Sequence, residues 1–180
     1  MKNTAEQIEI SLSKTKLILM LIGSIVFDAA GLWFVINPAT ISNPFFGNPA
    51  VIFAIGIAAI LFFGLCTVYI VRKLTDNKPG LIIDNKGLID NSSGISSGQV
   101  LWSDIENILV VEVHRQKFIL LQVENPQDYI DKQESNFKRK IMQMNFNMYG
   151  SPLSITTNAL QIKFDELLNI LNDHLNASRQ

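Results

Sequence analysis

Two stretches of this 180-residue chain are too long and too apolar for the interior of a small soluble domain. Residues 17–36 are apolar or small except for Ser24 and Asp28, and residues 50–71 carry no charge at all. As helices rising about 1.5 Å per residue, each covers a hydrocarbon core of about 30 Å. Two such helices leave too little chain to bury them. The sequence therefore predicts a pair of membrane spans, 17–36 and 50–71, within a hairpin over 17–73. A cleaved leader fits poorly, because the polar lead holds Glu6 and Glu9 and a second span follows.

Basic residues set the expected sidedness. Lys14 and Lys16 precede the first run, Arg72, Lys73 and Lys78 follow the second, and the connection 37–49 is uncharged. The expectation is a multi-pass protein of the inner or plasma membrane with both termini cytoplasmic. Residues 1–16 then form a cytosolic lead and 80–180 a cytosolic domain. The three Asn-Pro steps of the connection fit a helix stop, a turn and a restart. Trp33 and Phe45–Phe46 are expected near the outer interface.

Asp28 is the one carboxylate between residues 17 and 71, where Lys and Arg are absent. It falls near the middle of its span, where a charge costs about 2.5–3.5 kcal/mol to insert. Ser24, Asp28 and Gly31 share a stripe at spacings of four and three, and Ala54 and Ala58 form a small-xxx-small step on the second span. Asp28 and Ser24 are thus the candidate intramembrane polar site. One role is hydrogen-bonded glue between helices. The other is an ion or proton site. The absence of an intramembrane Arg, Lys or His partner favours glue.

Beyond Lys78 the apolar runs shorten and turn residues separate them. "LIIDNKGLID" reads as a hairpin around Asp84–Gly87, with Gly87 free to take positive φ. Ser103 and Glu106 match the S-x-x-E capping box, which predicts one helical turn with Trp102 and Ile105 buried. Leu109, Val111 and Val113 share one strand face, and Ile119, Leu121 and Val123 share the next, with a turn at His114–Lys117. Residues 127–145 read as one helix with Ile130, Phe137, Ile141 and Met144 inward. Its basic triplet Lys138, Arg139 and Lys140 is the candidate lipid-headgroup contact, or simply a solvated face. Leu153–Ile155 and Leu160–Ile162 read as short strands. Asp165 is placed to cap a last helix carrying Phe164, Leu167, Leu168, Leu171 and Leu175 on one stripe. His174 is assigned to that helix's final turn.

Composition narrows the function classes. A net charge of −1 offers no field for nucleic acid. Cys66 is the lone cysteine, and His114 and His174 lack metal-ligand spacing, so no metal and no cofactor are expected. Asp84, Asp90, Asp104 and Glu106 fall in turns or caps, not in an acid–base pair, so the chain reads as a non-enzyme.

The hairpin "GLIIDNKGLID", the "VLWSDIENI" step and the terminal "LSITTNALQIKFDELLNIL" resemble a bacterial family of small, largely uncharacterised membrane proteins. These have two spans followed by a cytosolic domain of the pleckstrin-homology-like fold. The resemblance implies an α+β membrane protein in which a transmembrane hairpin precedes a seven-stranded β-barrel or sheet closed by a C-terminal helix. The two spans and the absence of a visible catalytic constellation point to a membrane-anchored binding or scaffold module whose cytosolic domain meets a protein or lipid partner. A homo-oligomeric conduit or assembly factor using Asp28 is the alternative. Domains of this fold that hold phosphoinositides carry several basic residues in the first hairpin loop. Here that loop has Lys86 between Asp84 and Asp90.

Overall fold

The computed structural model describes residues 7–38, 48–95 and 98–180. The chain divides into two units: Lys14–Asn77, and the segment up to Ser13 together with Lys78–Gln180. The expected interfacial pair Phe45–Phe46 lies outside the described residues.

The first unit is an antiparallel pair of helices, α1 (Lys14–Ile36) and α2 (Pro49–Thr75). Both exceed the predicted spans, because the helices continue through Lys14 and Lys16 at one end and Arg72 and Lys73 at the other. Asn48 starts α2 by accepting the Ala50 N–H at 2.9 Å, and Pro49 occupies the first turn, where its missing N–H costs nothing. Both helices are long and apolar enough to cross a membrane, and only 11% of the most apolar stretch of each is buried. Leu19, Leu61 and Leu65 are among the apolar side chains that face outward.

The helix–helix seam uses Leu17, Ser24 and Gly31 on α1 and Ile52, Gly56 and Ile70 on α2. A Cβ on Gly56 would stand 2.7 Å from the Gly31 carbonyl oxygen, so glycine is what lets the backbones touch. Ala54 and Ala58 do not form this contact. Both are exposed, and Ala59 beside Gly31 takes the role expected of them. The 3.6-residue period turns 54 and 58 away from the face that carries 52, 56 and 59.

The second unit is α+β. Strands β1 (Ile8–Ile10), β2 (Leu81–Ile83), β3 (Gly87–Asp90) and β4 (Gln99–Leu101) form one antiparallel sheet in that order. Strands β5 (Ile105–Val113), β6 (Gln116–Val123) and β7 (Leu153–Ile155) form a second. Helices α3 (Pro126–Asp131) and α4 (Asn136–Tyr149) connect β6 to β7, and α5 (Phe164–Ser178) follows. One apolar core joins both sheets to the helices. It holds Leu81, Ile83 and Leu88, Ile119 and Leu121, Met142, and Leu167, Leu171 and Leu175 of α5.

β1 departs from the sequence reading. Residues 8–10 stand in the polar lead, yet Ile8 pairs with Ile83 and Ile10 with Leu81. The contact continues past the strand, where the Gln161 N–H donates to the Ser11 carbonyl and the Ser13 N–H to the Ala159 carbonyl. Leu160, expected in a strand, therefore makes only a single bridge to Leu12.

Other local expectations are corrected by identifiable competitors. The helix expected over 127–145 is broken at 132–135, because Ser135 caps a new helix and accepts the Lys138 N–H. The break rotates α4, so Met142 is fully buried while Phe137 is exposed. The turn at Ser103 is a 3-10 turn (Trp102–Asp104) with no capping box, since the Ser103 hydroxyl donates to Asp104 and Glu106 belongs to β5. Trp102 and Ile105 are nonetheless buried. Asp165 lies in the first turn of α5 rather than capping it, the cap position being Lys163. His174 falls one residue before the final turn and stacks on Trp102 at 5.7 Å. His114 and Arg115 alone make the β5–β6 turn, both with positive φ, as a tight hairpin of primed type requires.

Candidate functional site

Hydroxyls and a carboxylate are expensive on an apolar helix, so they gather where they can bond to each other. Ser24 and Asp28, one turn apart on α1, both face Thr67 of α2. The Ser24 and Thr67 hydroxyls are 2.9 Å apart, and the Thr67 hydroxyl donates to Asp28 Oδ2 at 3.2 Å. The Leu21 carbonyl, 2.9 Å from Ser24 Oγ, competes with Thr67 for the single Ser24 hydroxyl hydrogen. The result is a short relay, Ser24 to Thr67 to Asp28, that spans the helix–helix seam.

The other carboxylate oxygen, Asp28 Oδ1, is buried and has no hydrogen-bond partner among the described residues. Gly64 faces it, and a Cβ there would stand 4.0 Å away, at ordinary van der Waals contact. Phe27 and Phe63 stack face to face at 4.4 Å on an adjacent side. Chemically, the group offers one satisfied and one open acceptor on the same carboxylate. It contains no base or second acid that would make it an acid–base pair.

Thr67 was missed in the sequence. Its signal was present: Ile52, Gly56, Phe63, Thr67 and Ile70 recur at spacings of four, seven, four and three, which is one helix face. A hydroxyl on that face is inconspicuous because threonine is tolerated throughout apolar helices.

The basic triplet in the α+β unit is not a uniform patch. The Arg139 side chain is turned back, its Nε donating to the Gln133 carbonyl at 2.8 Å, so it closes the α3–α4 break. Lys138 is half-buried and Lys140 exposed, on opposite flanks of α4. Beside α4 lies a cleft of about 190 Å³ lined by Val111, Val113, Phe118 and Leu120 and closed by Asn145 and Tyr149. That is smaller than the roughly 300–1,000 Å³ of an ordinary small-molecule pocket. Among the described residues, no group of three His, Cys, Asp or Glu side chains is arranged to hold a metal.

Near Trp102 a polar pair stands out. The Tyr129 hydroxyl donates to Asp104 Oδ2 at 2.7 Å. Burial, and then the hydrogen bond and charge of Asp104, push the Tyr129 phenol up to about 12. The Trp102 indole N–H donates to the Asp84 carbonyl at 2.7 Å. These groups join the first hairpin, the 3-10 turn and α3 as structural ties.

Compared with known proteins, the chain matches no family model, no curated protein and no solved structure.

Proposed function

We propose that this chain is a two-span membrane protein of the inner or plasma membrane, with both termini cytoplasmic. Its α+β unit acts as a pleckstrin-homology-like, non-catalytic binding module held at the bilayer for a protein or lipid partner. The observation that carries the reading is the pairing of Ile8–Ile10 with Leu81–Ile83 across an intervening hairpin whose apolar stretches are only 11% buried. Apolar helices left uncovered by protein need lipid around them. Because both ends of the hairpin return to one sheet, the hairpin must enter and leave the bilayer on the same side. Cutting after α1 would strip a strand from that sheet, which argues against a removable leader. The basic residues at both hairpin ends favour the cytoplasm as that side. The pleckstrin-homology-like reading is supported by seven antiparallel strands among the described residues, in sheets of four and three, followed by a helix whose leucines fill the core.

The test is extraction and proteolysis. The chain is expected to stay with membranes in alkaline carbonate. Protease is expected to digest residues 78–180 in inside-out vesicles and to spare them in intact cells. Release into the carbonate supernatant removes the membrane reading, and digestion from outside intact cells reverses the sidedness.

One observation favours a second reading, in which hairpins assemble through Asp28. Asp28 is half-buried as a residue, and its Oδ1 has no hydrogen-bond partner among the described residues, so a rotation of the side chain would offer it to a donor on another helix. Light scattering in mild detergent would then report a discrete oligomer for the wild type and a monomer for Asp28→Ala. A monomeric wild type ends that reading.

A further inference from the structure

Helix α4 is apolar on two opposite faces. Met142 and Phe146 point into the core, as they must for the helix to pack. On the other side, Phe137, Met144 and Met148 are 72%, 52% and 60% exposed, with Ile141 half-buried among them. Their spacings of four, three and four put all four on one narrow stripe. Lys138 and Lys140 fall on the two sides of that stripe, and the helix Asn136–Tyr149 contains no acidic residue. Uncovered Phe, Ile and Met bordered on both sides by lysine is the pattern of a helix that lies in a membrane interface. The apolar stripe sinks among the acyl chains, and the long lysine stems reach back to phosphate.

We infer that α4 is a second membrane contact, which docks this stripe on the surface of an anionic bilayer. The inference rests on the proposed membrane-spanning role of α1 and α2. Two further observations single out lipid. The stripe is four side chains on a helix about 21 Å long, well short of the roughly 800 Å² per partner of a stable protein interface. The α+β unit is also tied to both bilayer-length helices by short connections, residues 11–13 before α1 and 76–80 after α2. A five-residue connection reaches at most about 18 Å. If the hairpin spans a bilayer, these tethers keep the α+β unit at a high local concentration of lipid, at which a weak interfacial contact becomes effective.

The test uses the full chain carrying Cys66→Ser and one new cysteine, labelled with an environment-sensitive fluorophore. Met144→Cys reports on α4, and Leu65→Cys, on an outward position of α2, reports on spanning. The protein is reconstituted into phosphatidylcholine vesicles with and without phosphatidylglycerol, and nitroxide lipids serve as quenchers. Docking predicts that the label at 144 is quenched by a shallow nitroxide when phosphatidylglycerol is present. Lys138→Glu and Lys140→Glu should each weaken the docked state by more than about fivefold, the effect of losing one positive charge. Lys140→Glu, at an exposed position, keeps the test valid if the other variant folds poorly. Quenching at 65 without quenching at 144 overturns the docking and leaves the spanning intact. No quenching at 65 removes the membrane reading itself. Quenching at 144 that is indifferent to phosphatidylglycerol overturns the anionic assignment. Efficient disulfide cross-linking between unlabelled Met144→Cys copies would mean that a second chain covers the stripe, which also overturns it.

Discussion

Single residues in this protein are chosen for reasons that their sequence neighbourhood states only in part. Gly87 sits in a hairpin whose turn is held by Asp84, its carboxylate accepting the N–H groups of Lys86 and Gly87. A positive φ was the expected reason for glycine, yet Gly87 is not among the positive-φ residues. The reason is cross-strand: a Cβ would lie 1.9 Å from the Val100 carbonyl oxygen. Gly87→Ala is therefore expected to destabilise the α+β unit by at least the upper end of the usual overpacking range of about 1–3 kcal/mol, measured by thermal or denaturant unfolding. Tyr129 gives a pH signature. Unfolded, its phenol ionises near 10, whereas the folded protein keeps the proton to about 12. The extra stability is complete below pH 10 and disappears as pH rises from 10 towards 12. Tyr129→Phe is expected to flatten that alkaline decline. It should also cost about 1.5–3 kcal/mol at neutral pH through the lost bond to a charged acceptor.

At the scale of elements, α4 separates packing from exposure within one helix. Met142 is fully buried in the core and Met148 is 60% exposed. Met142→Ala is expected to cost about 2–5 kcal/mol, from lost transfer energy plus the cavity left behind. Met148→Ala should stay within about 0.5 kcal/mol in the isolated folded unit. Equal effects in a paired melt would show that the helix face is assigned wrongly. The last helix makes a similar point from its end. Arg179 donates to the Ile105 and Glu106 carbonyls, where the β5–β6 register slips between Ile105 and Asn107. A bulge leaves backbone groups without ladder partners, and here a side chain from the far end of the chain reaches them.

For the whole molecule, the consequential feature is that the apolar hairpin is inserted between β1 and β2 of one sheet. A chain reduced to residues 78–180 would leave the β2 edge unpaired, with Leu81 and Ile83 next to the gap. It is expected to aggregate or to melt at lower temperature. Joining residues 7–13 to residue 78 through a short flexible linker, with the hairpin removed, should restore a soluble, cooperatively melting unit. A truncated 78–180 that matches the joined version in melting temperature would make β1 dispensable.

The amino-acid order by itself determined the two long helices, the paired strands of the first hairpin and of β5–β6, and the leucine stripe of α5. Each is a periodic or compositional property contained in one short window. Only the tertiary structure decided that residues 8–10 are a strand, that Thr67 completes a relay with Ser24 and Asp28, and that α4 turns Met142 inward while leaving Phe137 and Met148 uncovered. Each of these depends on a partner distant in sequence. The β1–β2 pairing closes across the seventy residues 11–80, and Thr67 lies 39 positions from Asp28. Local propensity has no access to such distances. A three-residue strand in a polar lead or a single hydroxyl becomes distinctive only when folding brings its hydrogen-bonding counterpart within 3 Å or so.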